Sequence, residues 1–164
     1  MTFVSFDPRD SIRDKIGISW DVDEDGTTEK CLVVTDNHND PLYIPMYFSE
    51  RIKSAQLPTF PYAELRIVKT YYDPQDIGAA TRKQESYIDF HIYVSDTDNI
   101  DRNAIGEKIK NTLQNLIRTN QCAFDNITFI NVESDTYLAE ETKDYQLVYH
   151  YVCTIYCLYY DICT

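Results

Sequence analysis

Glycine is scarce in this 164-residue chain, which has only four. That leaves little scope for the glycine-rich loops that cradle phosphates or let backbone approach a ligand closely. Positive charge is also short: 15 Lys and Arg stand against 27 Asp and Glu, a formal net charge of −12. Such a surface repels phosphate backbones and anionic lipids, which argues against nucleic-acid reading and membrane-surface binding. No segment approaches the ~18 uninterrupted apolar residues of a membrane span. The opening MTFVSFDPRD has no apolar signal core.

Catalytic and metal-binding patterns are missing too. Cys31, Cys122, Cys153, Cys157 and Cys163 are odd in number and form no CxxC pair. They read as reduced, buried thiols of a cytosolic fold. Cys153 and Cys157 share one strand face two pleat repeats apart, which suits core packing rather than shared chelation. His38, His91 and His150 are scattered, with no HxxxH or HExxH spacing for zinc. His91 and His150 each sit among tyrosines on strand-like segments, the setting of a hydrogen-bonded structural histidine. There is no GxSxG and no nucleophile beside a general base. A nuclease-like carboxylate pair is open to Glu64 and Asp89, but the second strand lacks the lysine that often completes such a site. No cofactor and no enzymatic activity are expected.

Acid and tyrosine are what the chain has in quantity. DVDEDGTTEKCL, residues 21 to 32, places Asp21, Asp23, Asp25, Gly26, Thr27 and Glu29 where an EF-hand loop holds its first ligands. The twelfth position, which needs a bidentate Glu, is Leu32, and ISW and CLVV on either side favour strands rather than helices. The stretch therefore reads as a solvated turn with Gly26 in a left-handed conformation. A calcium-responsive module is the alternative. The fourteen tyrosines fit both a strand-rich fold and a protein that meets other proteins.

Along the chain, FDPRDSIRDKI suggests a short helix capped by Asp7, with Pro8 in its first turn and Ile12 and Ile16 on one face. GISWDV and KCLVVTD flank the acidic turn as a hairpin. DPLYIPMYF suggests an edge strand or extended loop because of its prolines, and SERIKSAQ about two helical turns capped by Ser49. FPYAELRIVKTYY and QESYIDFHIYV read as strands joined by a long polar loop. In the second strand Ile88, Phe90, Ile92 and Val94 alternate with Tyr87, Asp89, His91 and Tyr93. Residues 101 to 119 carry Ile105, Ile109, Leu113, Leu116 and Ile117 at helical spacing. Acidic residues stand at the start of this helix and Arg118 near its end. NITFINV is a further strand, ESDTYLAEETKD an acidic connection, and residues 145 to 162 a long final strand. The order β-β-α-β-β from residue 60 points to an α+β fold: an antiparallel or mixed sheet packed on one main amphipathic helix. The whole chain, 1–164, reads as one domain elaborated by an N-terminal helix and hairpin at about 7–45.

The segment LPTFPYAELRIVKTYYDPQDIGAATRKQESYIDFHIYV resembles the core of the tail-terminator (tail-completion) proteins of long-tailed phages and archaeal tailed viruses. Phe60-Pro61 opens the first strand, residues 73 to 85 form the loop, and 86 to 95 the second strand; the likeness runs from about 57 to 162. The acidic hairpin near 17–36 and the long aromatic last strand depart from the smaller members. The resemblance implies a structural virion protein of the tail or neck, assembled in the host cytoplasm. It would form a ring, typically a hexamer, that caps the finished tail tube and docks the head connector. Its partners would be itself, the tube protein and the connector, and DNA would pass through the ring without being read. A head–tail connector of the neck is the alternative role.

Two surfaces are expected to serve that assembly. Arg82 and Lys83, in the loop between the first two long strands, put positive charge on an acidic molecule. Tyr149 and Tyr151, on a final strand apolar on both faces, are expected to pack at a subunit boundary.

Overall fold

The structure, a computed structural model, describes residues 6–52, 58–74, 81–141 and 147–162. It is a mixed α+β fold, mostly strand, with two α-helices and one seven-stranded sheet.

The first helix, α1 (Pro8–Ile16), begins where the sequence indicates. The Asp7 carboxylate accepts a hydrogen bond from the Arg9 amide, proline fills the first turn, and Ile12 and Ile16 are buried. Next come β1 (Ile18–Trp20), β2 (Glu29–Thr35) and β3 (Pro41–Phe48), then β4 (Tyr62–Pro74) and β5 (Thr81–Ser95). The second helix, α2 (Arg102–Thr119), leads to β6 (Ile127–Glu141) and β7 (Leu147–Ile162). The strands lie in the order β1-β2-β3-β4-β5-β7-β6, and all neighbours are antiparallel except β3 and β4.

Several sequence-based expectations need correction. β3 is an interior strand and not an edge. Its prolines are accommodated because it changes partners along its length: residues 41–45 pair with β2, and 46–48 with β4. Pro41 opens the strand and Pro45 stands at the handover, so neither removes a donor from a ladder running on both sides. SERIKSAQ does not begin as an α-helix. Ser49–Arg51 form a single 3-10 turn preceded by Phe48, with no side-chain cap, and residues 53–57 lie outside the described residues.

Of the expected loop at 73–85, residues 73–74 and 81–85 are strand. Asp73 pairs with Lys83 and Pro74 with Arg82, so at most residues 75–80, outside the described set, connect β4 to β5. The acidic connection ESDTYLAEE is likewise strand, the outer half of β6, paired with β7 as far as Glu141. In both places polar side chains indicated loop, yet an edge strand or a cross-strand network accommodates them. β7 begins at Leu147 and runs 16 residues as one continuous strand.

α2 starts from an Asp101 cap whose carboxylate accepts from the Ala104 amide. The Asp96 carboxylate accepts from the Arg102 amide just ahead of it, and the first turn itself holds no acid. Ile105, Ile109, Leu113 and Ile117 are fully buried on this helix. They share one core with Ile12 and Ile16 of α1 and with the row Ile88, Phe90, Ile92 and Val94 of β5. Residues 149, 151, 153, 155, 157 and 159 of β7 complete that core. Both helices therefore cover the same face of the sheet. No helix among the described residues is long and apolar enough to cross a membrane.

Candidate functional site

Among the described residues no helix lies on the opposite face of the sheet. The strand register assigns its side chains, because directly paired residues project to the same side. Tyr62 of β4 pairs with Tyr93 of β5, which pairs with His150 of β7; Tyr87 likewise pairs with Tyr156. Tyr71 and Tyr160 belong to the same face, as does Tyr47 of β3, which pairs with Glu64, so at least seven of the fourteen tyrosines lie on it. At one end the rings shield one another. Phe60 stacks on Tyr62, Tyr62 on Tyr93, and Tyr93 on His150, with centroids 5.6, 4.9 and 4.3 Å apart. Toward the other end and along β6 the face is open, with Val68, Tyr71, Phe129, Leu138 and Tyr160 each between 42 and 55% exposed.

Val68 owes its position to backbone geometry. The β4–β5 register shifts between Ile67 and Lys69, so Val68 is the extra residue of a bulge. It lines a shallow cavity of about 340 Å³ with Lys69, Tyr71, Tyr87, Asp89 and Thr154. Asp89 accepts a 2.6 Å hydrogen bond from the Thr154 hydroxyl, and the Lys69 ammonium lies 4.2 Å from the centre of the Tyr71 ring.

His91 and His150, 59 residues apart in sequence, meet on this face with Nδ1 of His91 2.9 Å from Nε2 of His150. One ring must donate and the other accept, so the pair keeps its bond with no more than one added proton. Burial, then the neighbouring His150 and Arg66, hold the His91 pKa below the ordinary histidine range; Glu64 and Asp89 pull the other way. Single-sequence reasoning missed this contact because it depends on β5–β7 register and on no local motif.

Glu64 and Asp89 do share this face, but each is engaged. Glu64 is 2.8 Å from Arg66 and opposite His91, while Asp89 is opposite Arg66 and bonded to Thr154. Among the described residues no group of three or more His, Cys, Asp or Glu is placed to hold a metal ion. In the acidic turn, Asp21 spends both carboxylate oxygens on the amides of Asp25 and Gly26, and Asp25 accepts from the Thr27 amide. Gly26 takes the left-handed conformation, φ +86°.

The four residues expected at interfaces are placed differently from the sequence reading. Arg82 and Lys83 are on β5 and not in a loop. Arg82 makes a 2.7 Å ion pair with the buried Asp161 on the helix-covered side, and Lys83 pairs with Glu85 on the open side. Tyr149 and Tyr151 lie under α2, each only 3% exposed, which leaves them little surface for a neighbour. The Tyr149 hydroxyl donates to Glu107 at 2.9 Å, and the Tyr151 hydroxyl accepts from Gln114 at 3.2 Å. Burial raises both phenol pKa values, reinforced by Glu107 for Tyr149 and by Asp135 for Tyr151.

Cys31, Cys153 and Cys157 are buried free thiols with pKa pushed up to about 12 by burial. The two on β7 are core side chains, as their spacing suggests. Cys122 departs from the expectation: it is exposed. Cys163 lies outside the described residues. No family model matches this sequence, and no curated protein shows significant similarity to it.

Proposed function

We propose that this chain is a structural virion protein that assembles into a ring, capping a completed tail tube and presenting the surface to which the head connector docks. The observation that carries the reading is the uncovered, tyrosine-rich face of a sheet whose other face is closed by both helices. The apolar and aromatic side chains this face leaves in water, Val68, Tyr71, Phe129 and Tyr160 among them, are what a protein partner would cover. The strand and helix order from Tyr62 onward, β-β-α-β-β, supports placing it beside the tail terminators. In that reading the sheet on its main helix is the shared core, and the segment at about 7–45 is the elaboration. Nothing in such a role calls for a reacting group; it calls for surfaces of fixed shape.

The functional test is tube termination. Purified protein added to polymerising tail-tube subunits from the same virus is expected to bind tube ends and shorten the length distribution. Tubes of unchanged length with no protein at their ends would overturn the capping role. Binding to the head connector without any effect on tubes would move the protein to the neck.

A further inference from the structure

The sheet forks where β3 changes partners. The β2–β3 ladder runs as far as Cys31 opposite Pro45, and from Met46 onward β3 pairs with β4 instead. Proline has no N–H to offer the ladder at that point. The next residues of the parting strands are Glu29 and Lys30 on β2 and Met46 and Tyr47 on β3. With Arg13 of α1 and Arg51 of the 3-10 turn they line a cavity of about 300 Å³. That volume is at the small end of ligand cavities, ~300–1,000 Å³.

The cavity wall holds polar groups that the protein leaves unanswered. Nε of Arg13 and Oε2 of Glu29 are both shielded from water, and neither has a hydrogen-bond partner among the described residues. Buried donors and acceptors are ordinarily paired. Positive charge is unspent here too. Arg9, Arg13 and Arg51 all stand over the Phe48 ring, 4.3, 4.3 and 4.9 Å from its centre. Arg9 is neutralised by Asp7 and Glu50, and Arg13 is paired through Nη2 with Asp10. Arg51 and Lys30 have no ion pair among the described residues. The aromatic ring therefore holds Arg51 at the cavity by cation–π attraction, without a carboxylate beside it.

The surroundings are not simply basic. Glu29 is part of the wall, and burial, reinforced by Glu29, Asp23 and Asp25, pushes the Tyr47 phenol up to about 12. A bare anion would meet these carboxylates, and a bare cation would meet Arg13, Lys30 and Arg51. A small ligand carrying both charges on neighbouring atoms satisfies both sets. Its carboxylate takes the N–H groups of Arg13 and Arg51 and the Lys30 ammonium. Its own ammonium meets Glu29, and Met46 and the Tyr47 ring leave apolar wall for a short side chain.

We propose that the fork between β2 and β3 binds a free α-amino acid. The site stands apart from the ring reading, and neither depends on the other. Amide chemical shifts of isotope-labelled protein test it with three probes. L-Alanine carries both charges, N-acetyl-L-alanine only the carboxylate, and L-alanine methyl ester only the ammonium. L-Alanine should shift the amides of Glu29, Lys30, Tyr47 and Arg51 saturably, with a dissociation constant roughly ten-fold below that of either half-probe. Arg51→Gln should weaken L-alanine and N-acetyl-L-alanine alike. Glu29→Gln should weaken L-alanine and the ester but leave N-acetyl-L-alanine unchanged. Arg51 is exposed and Gln nearly matches Glu in shape, so both variants should keep the wild-type spectrum away from the cavity. No saturable shift with L-alanine would overturn the proposal. So would a half-probe that binds as tightly as L-alanine, or L-alanine binding that survives both substitutions.

Discussion

Gly106 shows how one residue positions the helix over the sheet. A Cβ there would stand 2.5 Å from the Tyr149 ring, so the missing side chain is what lets α2 approach β7. Gly106→Ala gains about 1 kcal/mol of helix propensity. It loses roughly 1–3 kcal/mol by overpacking against a ring held by its bond to Glu107. Overpacking wins, and urea unfolding should find the variant less stable by about 1 kcal/mol. A more stable variant would mean that the ring moves aside freely.

The histidine pair makes a second prediction at this scale. The His91 pKa is lowered in the folded protein, so the unfolded chain binds its proton more readily. Its contribution to stability is complete above the ordinary histidine range and declines as pH falls through that range toward the lower folded value. The thermal midpoint should drop between pH 7.5 and pH 5.5 in wild type and drop less in His91→Gln. Equal drops would place the pH sensitivity elsewhere.

At the scale of elements, α2 depends on its first turn. Asp101→Ala removes the acceptor for the Ala104 amide and should cost about 1 kcal/mol, read as a lower urea midpoint with unchanged slope. No loss would mean that Asp96, on the neighbouring Arg102 amide, suffices as a cap.

Elements with strong periodicity were legible in the sequence: α1 from Asp7-Pro8, α2 from its isoleucine stripe, and the core row of β5 from strict alternation. Elements whose polarity is answered by neighbours were not. Gln84 and Ser86 are buried on β5, yet they bond to the Tyr159 hydroxyl across the sheet at 3.1 and 3.0 Å, so their polarity did not mark a loop. The outer half of β6 is acidic because an edge strand keeps one side in water. The open face was not legible in the sequence. Tyrosine abundance fits a strand-rich fold and an interface alike, and which tyrosines share a face is fixed only by the register. That register puts Tyr149 and Tyr151 beneath α2 and Tyr71, Tyr87 and Tyr156 on the open side.

At the scale of the whole molecule, the fold divides into a helix-covered side and an aromatic side that carries no helix among the described residues. The ring proposed above would assemble through the aromatic face, whose rings stand among Arg66, Lys69, Lys83, Glu85 and Asp89. An interface of that composition mixes apolar anchors with charge pairs. Its association should therefore weaken as salt rises from 0.05 to 0.5 M without vanishing. Sedimentation equilibrium at the two salt concentrations measures this, and complete insensitivity would rule out charged groups in the contact. The most direct measurement of the central claim is the native mass of the wild-type protein at micromolar concentration and physiological salt. The account predicts a discrete closed oligomer, six times the 19.2 kDa chain mass, appearing as rings by negative-stain microscopy. A single species at the chain mass, with no rings at any concentration, would contradict it.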